Sequence, residues 1–396
     1  MHLLYVCADP KISTQNNRGY AIHIREFLEG LKQKQVKVTT FIKGDLTPDA
    51  TNNQRTETAR RVDLKAGFKQ LFPSKILYSI HDRVKYFNSG KDARFLEHTL
   101  PTSVDAIYER YEGTSCLGWH LAQKLNVPFI LEINAPFWQD EKYYGRYRSR
   151  FAELIDQKIL QQAWAIVVVT ATIKKYLIEM GIDRDKIHVV PNGVNAETFM
   201  PNSNPSELRE QLKLTDQIVI GYVGSFSKWH QLDFVVEAAS ILKAEYSNLR
   251  FLLIGQGADQ ARIQALVRHQ RLEQWFSFTG EVPHHQIPPY LSLCEIALLP
   301  ATEVYCSPIK IFEYMAAQKA ILLPQMPGLE PIIQSGITGL FFQKNNLTDF
   351  IHQLRQLIQN QELRLRLGEN ARQRVLTEFT WDKTATKILN LIQNLI

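Results

Sequence analysis

Little in this chain points to the cell exterior or to a metal site. Only four cysteines occur in 396 residues. They stand at Cys7, Cys116, Cys294 and Cys306, with no C-x-x-C pair, so neither a disulfide framework nor a zinc knuckle is indicated and a reducing cytoplasm is the expected setting. Long apolar runs are missing too. The longest uncharged one, Trp164 to Ile173, is far too short to span lipid. The amino terminus lacks a basic lead-in and meets Asp9 at once, so neither a signal peptide nor a membrane span is expected. Repeats of fixed period, low-complexity tracts and nucleic-acid motifs are absent as well, which argues against a solenoid and against a nucleic-acid partner.

What is present is enough apolar material, 45% of the residues, for two folded domains. At this length one core rarely serves a whole chain. The charge is uneven. Between Gln54 and Phe95 stand ten basic and four acidic residues, a local +6 that equals the formal excess of the chain. Phe68, Leu71, Phe72, Ile76, Leu77, Ile80 and Val84 are interleaved with those bases at helical intervals. Two readings stay open for residues 54–95: a helix lying on an anionic bilayer, or a core-packed helix with a solvated basic face.

Short β-branched runs alternate with amphipathic segments from end to end, the pattern of parallel sheets covered by helices on both faces. In the first half, strands are expected over His2–Cys7, Val36–Phe41, Asp105–Glu109, Pro128–Ile133, Ala165–Thr170 and Ile187–Val190. Asn192-Gly193, Pro201 and the polar run Asn202–Ser206 read as a linker. A second series follows at Ile218–Val223, Leu249–Ile254, Phe276–Phe278, Ile296–Leu299 and Ala320–Leu323. Two doubly wound domains facing across a cleft are expected, divided near residues 195 and 196. In such sheets ligands sit at the carboxyl ends of strands.

Several turns occupy such positions. Asn17-Arg18-Gly19 precedes a helix striped by Ile24, Phe27, Leu28 and Leu31, and Gly19 would let backbone approach a ligand closely. Gly224 and Ser225 end the strand Ile218–Val223, and Lys228-Trp229-His230 leads into the next helix. Lys228, His230 and the Ser225 hydroxyl are candidate hydrogen-bond donors to a diphosphate. Gly255-x-Gly257 is a weaker turn of the same kind. The fullest signal spans Ser307–Ala317. Pro308 suits the first helical position, and Ile311, Phe312, Met315 and Ala316 recur at helical spacing. Lys310 and Glu313, three apart, share a face. Lys310 can meet a phosphate at a helix amino terminus, while Glu313 can accept from ribose hydroxyls. The competing reading is a surface ion pair between the two, worth a few tenths of a kcal/mol at most.

Taken in order, the Gly19 loop, Val190-Pro191-Asn192-Gly193-Val194, Gly224-Ser225 with Trp229-His230, Gly255-x-Gly257 and the helix around Glu313-Tyr314-Met315-Ala316 resemble glycosyltransferase family 4 over essentially the full length. The resemblance implies the α/β GT-B fold and a nucleotide sugar held mainly by the second domain, residues 196–379. It also implies transfer with retention of anomeric configuration, no metal, no cofactor beyond the donor itself, and a final helix near 380–396 returning to the first domain, residues 1–195. Glu313 matches the second Glu of the family's E-x7-E motif, the ribose ligand, and Gly19 the loop glycine beside the phosphates. Ser307, Gly224, Ser225 and Ile311 join them as donor-binding candidates.

Three customary contacts are altered. Tyr305 stands where the first motif Glu belongs, with Glu303 two residues upstream. Ser225 and His230 fall where the diphosphate Arg and Lys are customary, and Asn134 replaces a histidine near the reacting sugar. An active hexosyltransferase is the reading preferred here, with Lys228, His230 and Lys310 stabilising the leaving diphosphate and Asn134 orienting donor sugar or acceptor. Asn134 also reads as a turn residue before Pro136. Trp138 and Tyr143 are candidates for stacking on a sugar or lipid-linked acceptor. A catalytically silent nucleotide-sugar binder and a sugar nucleotide epimerase remain the alternatives.

Overall fold

The computed structural model describes residues 1–46, 74–100, 103–139, 147–201 and 205–396. These fall into two compact units, Met1–Pro191 with Ala385–Ile396, and Asn192–Thr384.

Unit 1 is built on six parallel strands: β1 (His2–Cys7), β2 (Lys37–Ile42), β3 (Ala106–Arg110), β4 (Phe129–Ile133), β5 (Ala165–Val168) and β6 (Ile187–Val189), in the order β2-β1-β3-β4-β5-β6. Strands β1, β3, β4 and β5 are buried at every position, the signature of a sheet covered on both faces. Its helices are α1 (Gly19–Gln33), the short α2 (Lys43–Leu46), α3 (Ser74–Thr99), α4 (Leu117–Leu125), α5 (Arg150–Gln162) and α6 (Ala171–Glu179). Side chains of Ser149 and Thr170 cap α5 and α6, each accepting from a first-turn amide that the helix itself leaves unpaired.

Unit 2 repeats the plan with β7 (Ile218–Val223), β8 (Leu249–Ile254), β9 (Phe276–Phe278), β10 (Ile296–Leu298), β11 (Ala320–Pro324) and β12 (Leu340–Phe342), in the order β12-β11-β10-β7-β8-β9. The connecting helices are α7 (Ser206–Gln211), α8 (Leu232–Leu242), α9 (Gln260–His269), α10 (Ile287–Ser292), α11 (Ile309–Ala316), α12 (Leu347–Gln359) and α13 (Gln361–Glu378). The last helix, α14 (Trp381–Gln393), leaves unit 2 after Thr384.

All eleven strands expected from the sequence form, most within a residue or two of the expected ends. Strand β12 was not anticipated. Three residues at a sheet edge give no period to read, and the segment becomes a strand only by pairing with β11 through Leu322↔Leu340 and its neighbours. All four cysteines are free thiols. Among the described residues no helix is long and apolar enough to cross a membrane, and no group of three or more His, Cys, Asp or Glu side chains is arranged to hold a metal ion.

Candidate functional site

The strand order of unit 2 reverses direction between β7 and β10, the place where doubly wound sheets bind ligands. Strand β7 is followed by Gly224 at φ +141, and a Cβ there would overlap the Lys310 ammonium. Only glycine meets both conditions. Strand β10 runs through a loop into α11, whose residues Ile311, Phe312, Tyr314, Met315 and Ala316 are wholly buried. Burial of the larger side chains is worth roughly 1.5–3 kcal/mol each, so α11 is held firmly while its first turn faces the end of β7. Pro308 is the N-cap and the helix begins at Ile309, one residue later than the sequence predicted.

Lys310 is half-buried, and its Nζ donates to Tyr222 Oη at 3.1 Å and lies 4.3 Å from the centre of that ring. Burial pushes its ammonium down to about 7, against the pull of Glu313. Glu313 is 3% exposed and accepts a hydrogen bond from His284 Nε2 at 2.7 Å. Lys310 and Glu313 therefore engage Tyr222 and His284 rather than each other, and the surface ion pair is not what forms. The site presents a cation at a helix amino terminus beside an ordered carboxylate, the set a phosphate and a polyol require.

Other residues expected in the site divide in what they offer. Lys228 is exposed in a 3-10 turn, and the exposed Ser225 hydroxyl lies 3.2 Å from Ser227 Oγ. His230 Nδ1 donates to the Ala301 carbonyl at 3.1 Å. Burial first, and the Lys310 charge second, lower that imidazole to about 3. A neutral ring with Nδ1–H committed leaves Nε2 as an acceptor, so the expected donation to a diphosphate requires His230 first to take up a proton. Ser307 is buried against Asn192, its hydroxyl accepting from the Asn192 amide at 3.3 Å and its carbonyl from Asn192 Nδ2 at 2.6 Å. Ile311 serves the core, and its amide donates to Pro308. Gly255 makes room for the Gly224 carbonyl, so the third glycine turn packs one loop on another.

In unit 1, Gly19 opens α1 with nothing near the place a Cβ would occupy. At the carboxyl end of the sheet Arg110 and Glu132 are register partners on β3 and β4. Glu132, 1% exposed, is met by His23 Nε2 at 2.8 Å and Arg110 Nη1 at 3.1 Å. Asn134 donates to the same oxygen through Nδ2. Burial raises the Glu132 carboxyl, but His23, Arg110 and Asn134 outweigh it and bring it to about 2. Trp138 is half-buried, edge-on to Phe137 at 4.8 Å. Tyr143 lies outside the described residues.

His284, Tyr222 and the His23–Arg110–Glu132 group were not singled out from sequence. Of the adjacent pair His284 and His285 after β9, nothing in the sequence marks the first. Glu132 and Asn134, however, stand two apart at a strand end and so share a face, a clue the sequence did hold.

These features define a glycosyltransferase of the GT-B fold. Residues 17–198 match the family model Glycosyltransferase Family 4, and residues 204–374 match Glycosyl transferases group 1. The chain belongs to this glycosyltransferase family.

Among curated relatives, an uncharacterized glycosyltransferase of Methanocaldococcus jannaschii is 25% identical over 74% of this chain and 76% of its own length. The alpha-monoglucosyldiacylglycerol synthase of Acholeplasma laidlawii is 23% identical over 70% and 72%. Among solved structures, Anabaena HepE in complex with UDP superimposes with a TM-score of 0.74 at 14% identity, each chain covered in full. Sucrose-phosphate synthase of Thermosynechococcus elongatus gives 0.75 at 18%, over 100% of this chain and 99% of that one. At such identities the structural likeness speaks for the fold.

Proposed function

We propose that this enzyme is a retaining glycosyltransferase that moves a hexose-type sugar from a nucleotide diphosphate sugar to a hydroxyl acceptor in polysaccharide, glycolipid or other glycoconjugate synthesis. The observation that carries the reading is the meeting of Gly224, Lys310 and the His284-held Glu313 at the strand-order switch of unit 2. Glu313 accepts from the ribose. Lys310 and the first amides of α11 take the diphosphate, with Lys228 and Ser225 at the rim and the neutral His230 ring, tied to Ala301, behind them. As the bond from sugar C1 to the diphosphate breaks, these positive groups meet the charge that develops on the leaving oxygen, the largest single effect such a site can supply. The acceptor hydroxyl attacks C1 from the face the diphosphate leaves and passes its proton to the departing diphosphate oxygen as the new bond forms. Asn134 hydrogen-bonds a sugar hydroxyl during that step.

The donor is substrate, and no resident cofactor enters the reading. A lipid-linked acceptor is favoured by one feature of α3. Ile76, Ile80, Val84 and Phe87 lie on its outer face, from 46% exposed at Ile76 to 63% at Phe87. A core-packed helix would bury that stripe. With Arg83, Lys91 and Arg94 exposed alongside, α3 is suited to lie on an anionic bilayer. The rest of the basic segment, residues 54–73, is outside the described residues. One relative, moreover, is named for a glucosyl-diacylglycerol product.

The test is a panel of UDP-, GDP- and ADP-sugars scored by thermal stabilisation, followed by NMR of the product's anomeric centre with sugar, lipid and polysaccharide acceptors. A retained configuration establishes the reading. Stabilisation without turnover selects a silent binder, and conversion of donor alone to a new nucleotide sugar selects an epimerase.

A further inference from the structure

Three side chains from three separate places in unit 1 converge on the buried carboxylate of Glu132, and the mechanism so far uses only Asn134. His23 comes from α1, Arg110 from the end of β3, and Glu132 and Asn134 from the end of β4 and the turn beyond it. Glu132 receives His23 at 2.8 Å and Arg110 at 3.1 Å on the same oxygen that Asn134 meets. Arg110 also lies 3.4 Å from Glu112, and the Tyr5 and Tyr108 rings are stacked below. Burial, and after it the Glu132 charge, raise both phenols well above their ordinary value, so they stay protonated.

A carboxylate flanked by a guanidinium and an imidazole N–H is ionised, and an ionised carboxylate only accepts hydrogen bonds. The atom of Asn134 that faces it must therefore be the amide nitrogen. That fixes the amide's orientation, which the asparagine alone leaves two-fold degenerate. The nitrogen is committed inward, and the carbonyl oxygen is the group Asn134 offers to a ligand.

We infer that Glu132, held by His23 and Arg110, is a positioning residue that locks Asn134 as a hydrogen-bond acceptor, so that the sugar group Asn134 contacts is a hydroxyl donating to its Oδ1. This rests on the placement of Asn134 beside the reacting sugar proposed above. It adds that a buried ionic group removes the amide's freedom to flip. It also names the specificity consequence: a deoxy or fluoro sugar lacking the donated proton loses the contact, whereas a ligand acceptor atom gains nothing from it.

The experiment exchanges the amide and the carboxylate. In Asn134→Asp two carboxylates face each other, and transfer from UDP-glucose, UDP-N-acetylglucosamine or GDP-mannose, whichever the wild type uses, is expected to fall about tenfold or more at pH 8, the order expected for losing one well-placed hydrogen bond to a polar partner. Lowering the pH protonates the introduced carboxyl, whose hydroxyl then donates to Glu132 and whose carbonyl faces out, so the variant's rate relative to wild type recovers toward pH 6. Glu132→Leu removes the acceptor that holds the Asn134 nitrogen and is expected to lower the rate by a similar factor, and Glu132→Leu with Asn134→Asp, in which the new carboxylate faces no second one, is expected to lose no more than the larger single loss and to shed the pH dependence. An Asn134→Asp enzyme as active as wild type at pH 8, or single losses that simply multiply in the double variant, overturns the inference.

An activity-independent measurement keeps it separate from the functional reading. In protein labelled with 15N-asparagine, the Asn134 side-chain resonance, identified by its loss in Asn134→Asp, is expected downfield and slow to exchange, and to move upfield in Glu132→Leu. If Glu132→Leu fails to fold, His23→Gln serves in its place. A resonance indifferent to these changes rejects the Glu132–Asn134 coupling even where transfer is confirmed. A coupled resonance in a protein that turns over no donor rejects the proposed function instead.

Discussion

His284 Nε2 donates to Glu313 Oε1 at 2.7 Å, so the carboxylate expected to hold the ribose is itself held. One of its oxygens is spent on orientation. Removing either partner therefore has different consequences. Glu313→Ala is expected to abolish most of the thermal shift produced by the matching nucleotide, weakening it roughly tenfold to a hundredfold, the range for hydrogen bonds to a charged group. His284→Ala leaves the ribose ligand in place but unoriented and is expected to weaken binding less. Equal shifts for wild type and Glu313→Ala would remove Glu313 from the donor site.

The Lys310 ammonium carries a pH signature. Burial depresses it from 10.5 to about 7. Because the folded value lies below the unfolded one, the charged form is disfavoured in the fold, and stability from this group rises as pH climbs from about 7 toward 10.5. Diphosphate binding runs the other way, since it recruits the charged form. UDP affinity is expected to fall as pH rises through about 7, and binding at pH 8 to take up a proton. Calorimetry in two buffers of different ionisation enthalpy reads that proton directly, and Lys310→Met should abolish the difference.

Gly224 and Gly19 make a contrasting pair. Alanine at Gly224 is strained at φ +141 and overlaps Lys310, so Gly224→Ala is expected to lower both the melting temperature and nucleotide affinity. Alanine at Gly19 meets no protein atom and sits at the start of a helix, where it stabilises by about 0.4–1 kcal/mol at most. Its melting temperature should hold or rise while donor affinity drops. Unchanged affinity would clear Gly19 of any phosphate contact.

Gly193 is a packing prediction within unit 2. A Cβ there would stand 2.7 Å from the Trp381 amide nitrogen, in backbone that cannot yield cheaply. Gly193→Ala should cost about 1–3 kcal/mol by overpacking, read as a lower melting temperature in differential scanning calorimetry. Val194 beside it bridges to Thr380, so this end of the Val190–Val194 string receives the incoming C-terminal segment.

Membrane contact by α3 is tested with vesicles of phosphatidylglycerol. Phe87→Ser with Ile80→Ser should weaken binding at all salt concentrations, whereas replacing Arg83, Lys91 and Arg94 with Gln should weaken it chiefly at low salt, where charges are least screened. Binding that ignores both sets retires the bilayer reading.

Much of this was readable from residue order alone, because local chemistry fixes local structure. Strands His2–Cys7, Ile218–Val223, Leu249–Ile254 and Phe276–Phe278 lie at their expected residues, since buried parallel strands are apolar throughout and bounded by turns. The stripe on α11 and the neighbourhood of Lys310 and Glu313 follow from a period of 3.6. What escaped was whatever depends on sequence-distant partners. Strand β12 exists only through β11. Tyr222, 88 residues from Lys310, determines where that ammonium rests, and His284, 29 residues before Glu313, determines how that carboxylate points.

The sequence by itself determined two doubly wound sheets, the family and the short list of groups able to grasp a phosphate and a ribose, because periodicity, turn chemistry and motif spacing are local properties. Only the tertiary structure decided the state of those groups: Lys310 with its ammonium lowered, His230 neutral and donating to Ala301, and Asn134 turned inward toward Glu132. Burial and the field of neighbours distant along the chain set a proton's residence and an amide's orientation, and neither is encoded in any single segment.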